Sequence, residues 1–275
     1  PAAGLRNPAG ATVIAIRDRH EIIERLGAEP LANVVLLKHL RAYPQHTRVF
    51  QQLSPAGAAT LVLVDTAASE YDRKTYPTAV HAALLRSPDA ALAAALLAEL
   101  PADGGIVFKL GSAAEHDVVH RLYPLHRKTS FLSFTSPDRA SRRDDGNVAV
   151  LDIATDAMFA LYRTQDHAQG WLSPLLASGR AFTCLIGSGD DPLSVCFAFE
   201  SYGNVWEIGG VVTRLDQRGH GLGSRVVSTA LAELARRELL ARYQVHEGNL
   251  ASIRLAESLV MKPLLRLTHY LHERA

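Results

Sequence analysis

The stretch that most limits what this chain can become is Arg218-Gly219-His220-Gly221-Leu222-Gly223, set between a strand pattern, Val205–Thr213, and an amphipathic helix pattern over 222–240. Glycines in that setting predict a strand, a tight turn and a helix with an open mouth. Glycine removes the Cβ atoms that would keep a ligand off the backbone, and the first N–H groups of a helix have no partner inside it. Amides that converge in this way hold an anion, here expected to be a pyrophosphate.

Two other phosphate loops are excluded by their own chemistry. A Walker loop closes with Gly-Lys-Ser/Thr, whereas Gly223 is followed by Ser224 and Arg225. A dinucleotide fingerprint needs its third glycine three positions after the second and an acidic residue about twenty positions on. Gly223 follows Gly221 too closely, and no acidic residue ends a second strand there. The pattern that fits is Arg/Gln-x-x-Gly-x-Gly/Ala, met by Arg218, Gly221 and Gly223. In this the chain resembles the GNAT superfamily of acyl-CoA-dependent N-acetyltransferases, where the loop binds the pyrophosphate of coenzyme A.

The surroundings agree with that resemblance. Gly209-Gly210 interrupts the preceding strand, which marks a bulge or a close backbone approach. The resemblance implies that this strand splays from its neighbour and pairs with the pantetheine arm; a bulge serving packing alone is the alternative. Ala181–Gly187 and residues 193–202 read as a hairpin joined through Ser188-Gly189-Asp190-Asp191-Pro192. After the helix come a strand over 241–246, a second helix with Asn249 as N-cap, and a last strand over 264–272.

Asn249-Leu250-Ala251-Ser252 resembles the family's Asn-x-x-Ala/Ser segment beside the cofactor thiol. Over 147–275 the resemblance thus implies an α/β (α+β) fold, a mixed and mostly antiparallel sheet flanked by helices, with acetyl-CoA as cofactor. It places the cofactor along Val211, Val212, Thr213, Arg218, Gly219, His220, Gly221, Leu222, Gly223 and Ser224, with Asn249 and Ser252 near the thiol.

Acetyl transfer to an amine needs a base and a donor for the oxyanion. Glu207, a lone glutamate in an apolar strand, is the leading base, with desolvation expected to raise its proton affinity. An edge or solvent-facing glutamate is the alternative. His246 and Glu247 stand in reserve, with Glu200 behind them, and a backbone N–H at Val211 or Val212 is the expected oxyanion donor. The family's usual tyrosine acid is replaced by Ala256. Water, Ser252 or Tyr270 then protonates the thiolate, or the thiolate leaves unprotonated, or the protein binds acyl-CoA without turnover.

The first part of the chain reads as a worn copy of the second. Strands over 48–53, 59–65 and 78–85 lead to Ser87-Pro88, read as N-cap and first-turn proline of an alanine-rich helix. Gly105–Leu110 and the capping box Ser112-Ala113-Ala114-Glu115 follow, at offsets that match 241–246 and 249–260. Arg86-Ser87-Pro88-Asp89 stands where the second copy has its glycine loop, and an aspartate there repels phosphate. Residues 1–135 are therefore read as a degenerate GNAT-like domain in a tandem arrangement, 136–146 as a charged linker and 147–275 as the transferase; an unrelated first domain is the alternative.

With 275 residues and 48% apolar content, two packed cores are within reach. A net charge of +1 gives no global field for nucleic acid. Cys184 and Cys196 fall in strands and read as core residues rather than a bridge. The chain begins without a basic, apolar leader and has no long apolar run, so a cytoplasmic protein away from membranes is expected, a monomer or homodimer. His116 and His120 share a helix face but lack a third ligand nearby, so no metal is expected. The acceptor is expected to be a small-molecule amine, facing 156–178, with Trp171, Tyr162, Asp166 and His167 as candidate walls of the cleft; for Trp171 a packing role at a helix junction is the alternative.

Overall fold

Where the sequence reads strand, helix, strand, helix, the backbone follows that order twice. The computed structural model describes residues 4–6, 12–136, 145–165 and 169–273. The chain packs as two units, one of Pro1–Phe131 with Leu265–Ala275, the other of Leu132–Leu264.

Unit 1 runs β1 (Gly4–Arg6), β2 (Thr12–Ile16), α1 (Arg19–Gly27), α2 (Pro30–Ala42), β3 (Thr47–Ser54), β4 (Gly57–Asp65), α3 (Glu70–Thr75), β5 (Ala79–Arg86), α4 (Ala90–Leu97), β6 (Gly105–Leu110), α5 (Ala113–His120) and the start of β7 (His126–Thr135). Unit 2 takes the end of β7 and continues through β8 (Ala149–Leu151), α6 (Asp156–Arg163), α7 (Gln169–Ala177), β9 (Ala181–Gly187), β10 (Pro192–Tyr202), β11 (Val205–Thr213), α8 (Leu222–Arg236), β12 (Leu240–His246), α9 (Leu250–Ser258) and the start of β13 (Lys262–His272). Apart from β1 and α3, each element of β2 to β7 has a counterpart in the same order from β8 to β13. The end of β13 lies in unit 1, antiparallel to β6 from Thr268↔Leu110 to His272↔Ile106. In unit 2, Thr135 Oγ1 of β7 donates to Ala241 O of β12 (2.8 Å).

In unit 2 the strand order is β7-β12-β11-β10-β9-β8, with β11 and β12 parallel. One face is covered by α8, whose Leu222, Val226, Ala230 and Leu234 recur every four residues and pack with Cys184, Cys196, Trp206 and Ile208. The other face is covered by α6 and α7, which bury Met158, Tyr162 and Leu172 against Val195, Phe197 and Val212. Cys184 and Cys196 are free, buried and directly opposite one another on β9 and β10. Full burial of each large apolar side chain contributes about 1.5–3 kcal/mol, which fixes the two helix layers on the sheet.

Three local expectations change. The helix read over 222–240 stops at Arg236, because Glu238 turns left-handed (φ 58°) and Leu240 N donates to Asn204 O (2.8 Å) to start β12. The cap of α4 is Asp89 rather than Ser87, whose hydroxyl donates to Asp89 O (2.6 Å). Most of the expected linker, 137–144, lies outside the described residues, as do Asp166 and His167. Ser112 and Glu115 form the expected capping box of α5. No helix among the described residues is long and apolar enough to cross a membrane.

Candidate active site

Two glycines reshape β11 where it meets its neighbours. Val195 of β10 faces Val212, but Phe197 faces Gly209, so β11 holds one residue more than β10 in that interval. Gly210 has φ 58°, and a Cβ there would stand 2.1 Å from Phe197 Cε1; at Gly209 it would stand 2.9 Å from Phe197 Cε2. The bulge therefore meets two demands together, a left-handed backbone and the close approach of a buried ring. Beyond it the strand's faces exchange: Trp206 and Ile208 face α8, whereas Val212 packs in the α6–α7 layer.

On its other edge β11 pairs with β12 only from Val205↔Leu240 to Ile208↔Tyr243. Residues 209–213 and 244–246 continue as strands outside that ladder. Backbone groups on that edge of β11 are thus available to an extended ligand.

The glycine loop follows. Gly219 and Gly221 have φ of 85° and 73°, and both lie exposed with open space where a Cβ would stand. Gly221 is the N-cap of α8 and offers no side chain, so the N–H groups of Leu222, Gly223 and Ser224 lack a cap. Gly223 serves packing instead, since a Cβ there would meet Leu255 Cδ1 at 3.4 Å and Thr213 Oγ1 at 3.6 Å.

Arg218 Nε donates back to Thr213 O (3.2 Å) and His220 Nδ1 to Gln217 O (3.2 Å). Arg214 is held by Asp191 (2.5 Å) and Asp216 (2.7 Å). Arg225, on the first turn of α8, pairs with Asp145 (2.5 Å), and that hydrogen bond pulls the Asp145 carboxyl down to about 2. The corresponding helix mouth in unit 1 is closed by its own side chain: Asp89 Oδ1 accepts from Ala91 N (2.7 Å) and Leu92 N (3.0 Å) at α4.

Glu207 is not the lone carboxylate that its strand suggests. Its register partner across the parallel ladder is Arg242, which is fully buried and donates to Glu207 Oε2, to Ser133 Oγ (3.0 Å) and to Gln244. The guanidinium fixes Oε2 and leaves Oε1 to other partners. His246 is exposed at the end of β12, its Nδ1 accepting from Gly248 N (3.0 Å). Asn249 caps α9 by accepting from Ser252 N (3.1 Å). Tyr243, buried on β12, has its phenol pushed up by burial, opposed by a hydrogen bond with Ser252.

Other candidates have packing or partners of their own. Glu200, on β10, accepts from Arg180 Nε (2.7 Å). Ala256 is fully buried in the α8 core, so packing fills the place of the usual tyrosine. Tyr270 belongs to unit 1, its ring 4.7 Å from that of His116. Tyr162 is completely buried and donates to Cys196 O (3.1 Å), which makes it a core residue and not a wall. Trp171 remains 37% exposed and stands edge-on to Phe197 (5.3 Å) and Phe199 (5.2 Å). Among the described residues no group of His, Cys, Asp and Glu is suited to a metal ion.

Arg242 and Asp145 are site residues that sequence patterns did not single out. An arginine inside an apolar strand pattern was the available signal for the first; the second carried none.

Comparison with known proteins agrees with this geometry. Residues 147–259 match the family model described as Acetyltransferase (GNAT) family. No curated protein sequence matches the chain. Among solved structures, the GCN5-related N-acetyltransferase from Sphaerobacter thermophilus is similar with a TM-score of 0.58 at 14% identity, over 95% of each chain. One from Kribbella flavida gives 0.51 at 19% identity, over 89% of this chain and 96% of the other. A tandem GNAT protein from the clavulanic acid biosynthesis pathway gives 0.51 at 15% identity, over 95% and 98%. Residues 147–259 thus carry the match to the acetyltransferase (GNAT) family model, within a chain that has the fold of a tandem GNAT protein.

Proposed function

We propose that unit 2 transfers the acetyl group of acetyl-CoA to the amine of a small molecule by direct attack. The observation that carries this reading is the pairing of an uncapped helix mouth at Gly221 with the edge of β11 that leaves the ladder after Ile208. The first suits a diphosphate and the second suits an amide-bearing arm that adds like a strand. Acetyl-CoA supplies an activated acyl thioester.

The chain's own residues supply the rest. N–H groups at Leu222, Gly223 and Ser224 hold the anion, with Arg218 beside them. A main-chain N–H at Val211 or Val212 steadies the oxyanion. Glu207, oriented through Oε2 by Arg242, takes the amine proton at Oε1. His246 is the reserve base, and Ser252 lies where a departing thiolate collects a proton. Unit 1, with Asp89 in its own helix mouth, keeps the fold of a transferase without the cofactor seat.

A second reading is a module that binds acyl-CoA without turnover, favoured by Ala256 standing buried in place of the family's tyrosine. A panel of small amines with acetyl-CoA and a thiol-release readout separates the two. The transferase reading expects release with at least one amine, lost in Gly221→Glu, which puts a carboxylate in the anion seat. Cofactor binding with no release for any amine, in wild-type protein, contradicts it and leaves the binding module.

A further inference from the structure

Unit 1 contains a cavity of about 520 Å³ that the acetyl-transfer reading does not use. It lies between the α1–α2 junction, the hairpin of β3 and β4, and the end of β5, and all of its lining comes from residues 25–88. Its size falls within the range of small-molecule sites, roughly 300–1,000 Å³.

The polar lining has a definite chemistry. Gln51, 2% exposed, donates through Nε2 to Thr60 Oγ1 (3.0 Å), while its Oε1 is buried without a hydrogen-bond partner. A buried acceptor left in that state is destabilising unless a donor reaches it. Arg86 spends one contact on Ala32 O (3.2 Å) and offers further N–H donors, and Arg25, paired with Glu21 (2.9 Å), also lines the cavity. Helix α2 starts beside them without a side-chain cap, Pro30 at its first turn and Glu29 as N-cap. The guanidinium groups select a carboxylate, whereas Gln51 Oε1 and the Glu29 carboxylate select an N–H donor or ammonium. Lining of both signs disfavours a polyanion such as a phosphate ester.

We propose that this cavity binds a small zwitterion of the α-amino-acid class, its carboxylate toward Arg86 and its ammonium toward Gln51 and Glu29. The site stands on unit 1 alone and does not depend on the acetyl-transfer reading.

The test uses the full chain and isothermal titration calorimetry with the twenty standard α-amino acids, together with decarboxylated and deaminated analogues of any binder. The expected result is saturable binding of at least one amino acid, weakened at least tenfold in both analogues and in Arg86→Met. Gln51→Met tests the same point from the other pole and is also expected to lose at least tenfold. Each variant's thermal unfolding is recorded so that an unfolded variant is not read as a non-binder. Absence of binding by every amino acid overturns the proposal. So does binding that neither substitution affects, or saturation by an analogue lacking one of the two charged groups with equal affinity.

Discussion

Gly210→Ala addresses the bulge that turns β11 out of its ladder. The backbone at this position has φ 58°, where a Cβ costs roughly 1–2 kcal/mol. Built on that backbone, the Cβ stands 2.1 Å from Phe197 Cε1 and 2.6 Å from Cδ1, so the ring must move. Phe197 is 1% exposed and packs edge-on to Tyr162 (5.2 Å) and Trp171 (5.3 Å), which leaves it little room. Overpacking of that kind adds about 1–3 kcal/mol, so the sum is about 2–5 kcal/mol. Against a total stability on the order of 5–15 kcal/mol that is a large fraction.

Urea denaturation of Gly210→Ala, Phe197→Leu and the double variant separates the two contributions. Phe197→Leu removes the offending ring edge, so the double variant is expected to recover about 1–3 kcal/mol relative to the sum of the singles, with the backbone part unrecovered. A loss below about 0.5 kcal/mol for Gly210→Ala, or strict additivity in the cycle, refutes the reasoning.

Two further outcomes follow from buried charge. Glu207→Ala leaves the Arg242 guanidinium buried beside an empty space and is expected to destabilise by about 3–5 kcal/mol in urea. Glu207→Gln keeps an oxygen for Arg242 and is expected to lose much less stability while slowing thiol release; equal stability losses in the two variants contradict the ion-pair assignment. In unit 1, burial first and then Lys109 and Lys38 depress the His269 imidazole to about 3, and Tyr76 Oη lies 2.7 Å from its Nδ1. The unfolded chain, with histidine near 6.5, binds the proton first, so this contribution is full above pH 6.5 and is lost as pH falls toward 3. Unfolding free energy measured across that window is expected to fall less steeply in His269→Gln, by up to about 1.4 kcal/mol per pH unit; identical slopes contradict it.

What the residues disclose in advance is mostly local. The Gly209-Gly210 bulge, the open turn at Gly219 and Gly221 and the Asn249 cap each depend on conformations that only a few residue types adopt, so composition and spacing reveal them. The pairing of Glu207 with Arg242 depends on the register of two parallel strands 35 residues apart, which no short pattern encodes. Tyr270 has a plain strand pattern, but which sheet edge that strand joins, here β6 in unit 1, is decided by tertiary packing. The helix end at Arg236 escapes sequence reasoning because Glu238, a non-glycine residue, takes the left-handed turn. Asp89 reads in the sequence only as a repulsive charge, whereas its carboxylate is the cap of α4.

The central claim is that main-chain N–H groups at the start of α8 hold a diphosphate. Amide ¹⁵N–¹H spectra of the labelled protein, titrated in parallel with coenzyme A and with pantetheine, which lacks the diphosphate, test it residue by residue. Shifts at Leu222, Gly223 and Ser224 with coenzyme A but not with pantetheine are predicted, whereas both ligands move residues of β11. Silent amides at 222–224 with saturating coenzyme A contradict the account.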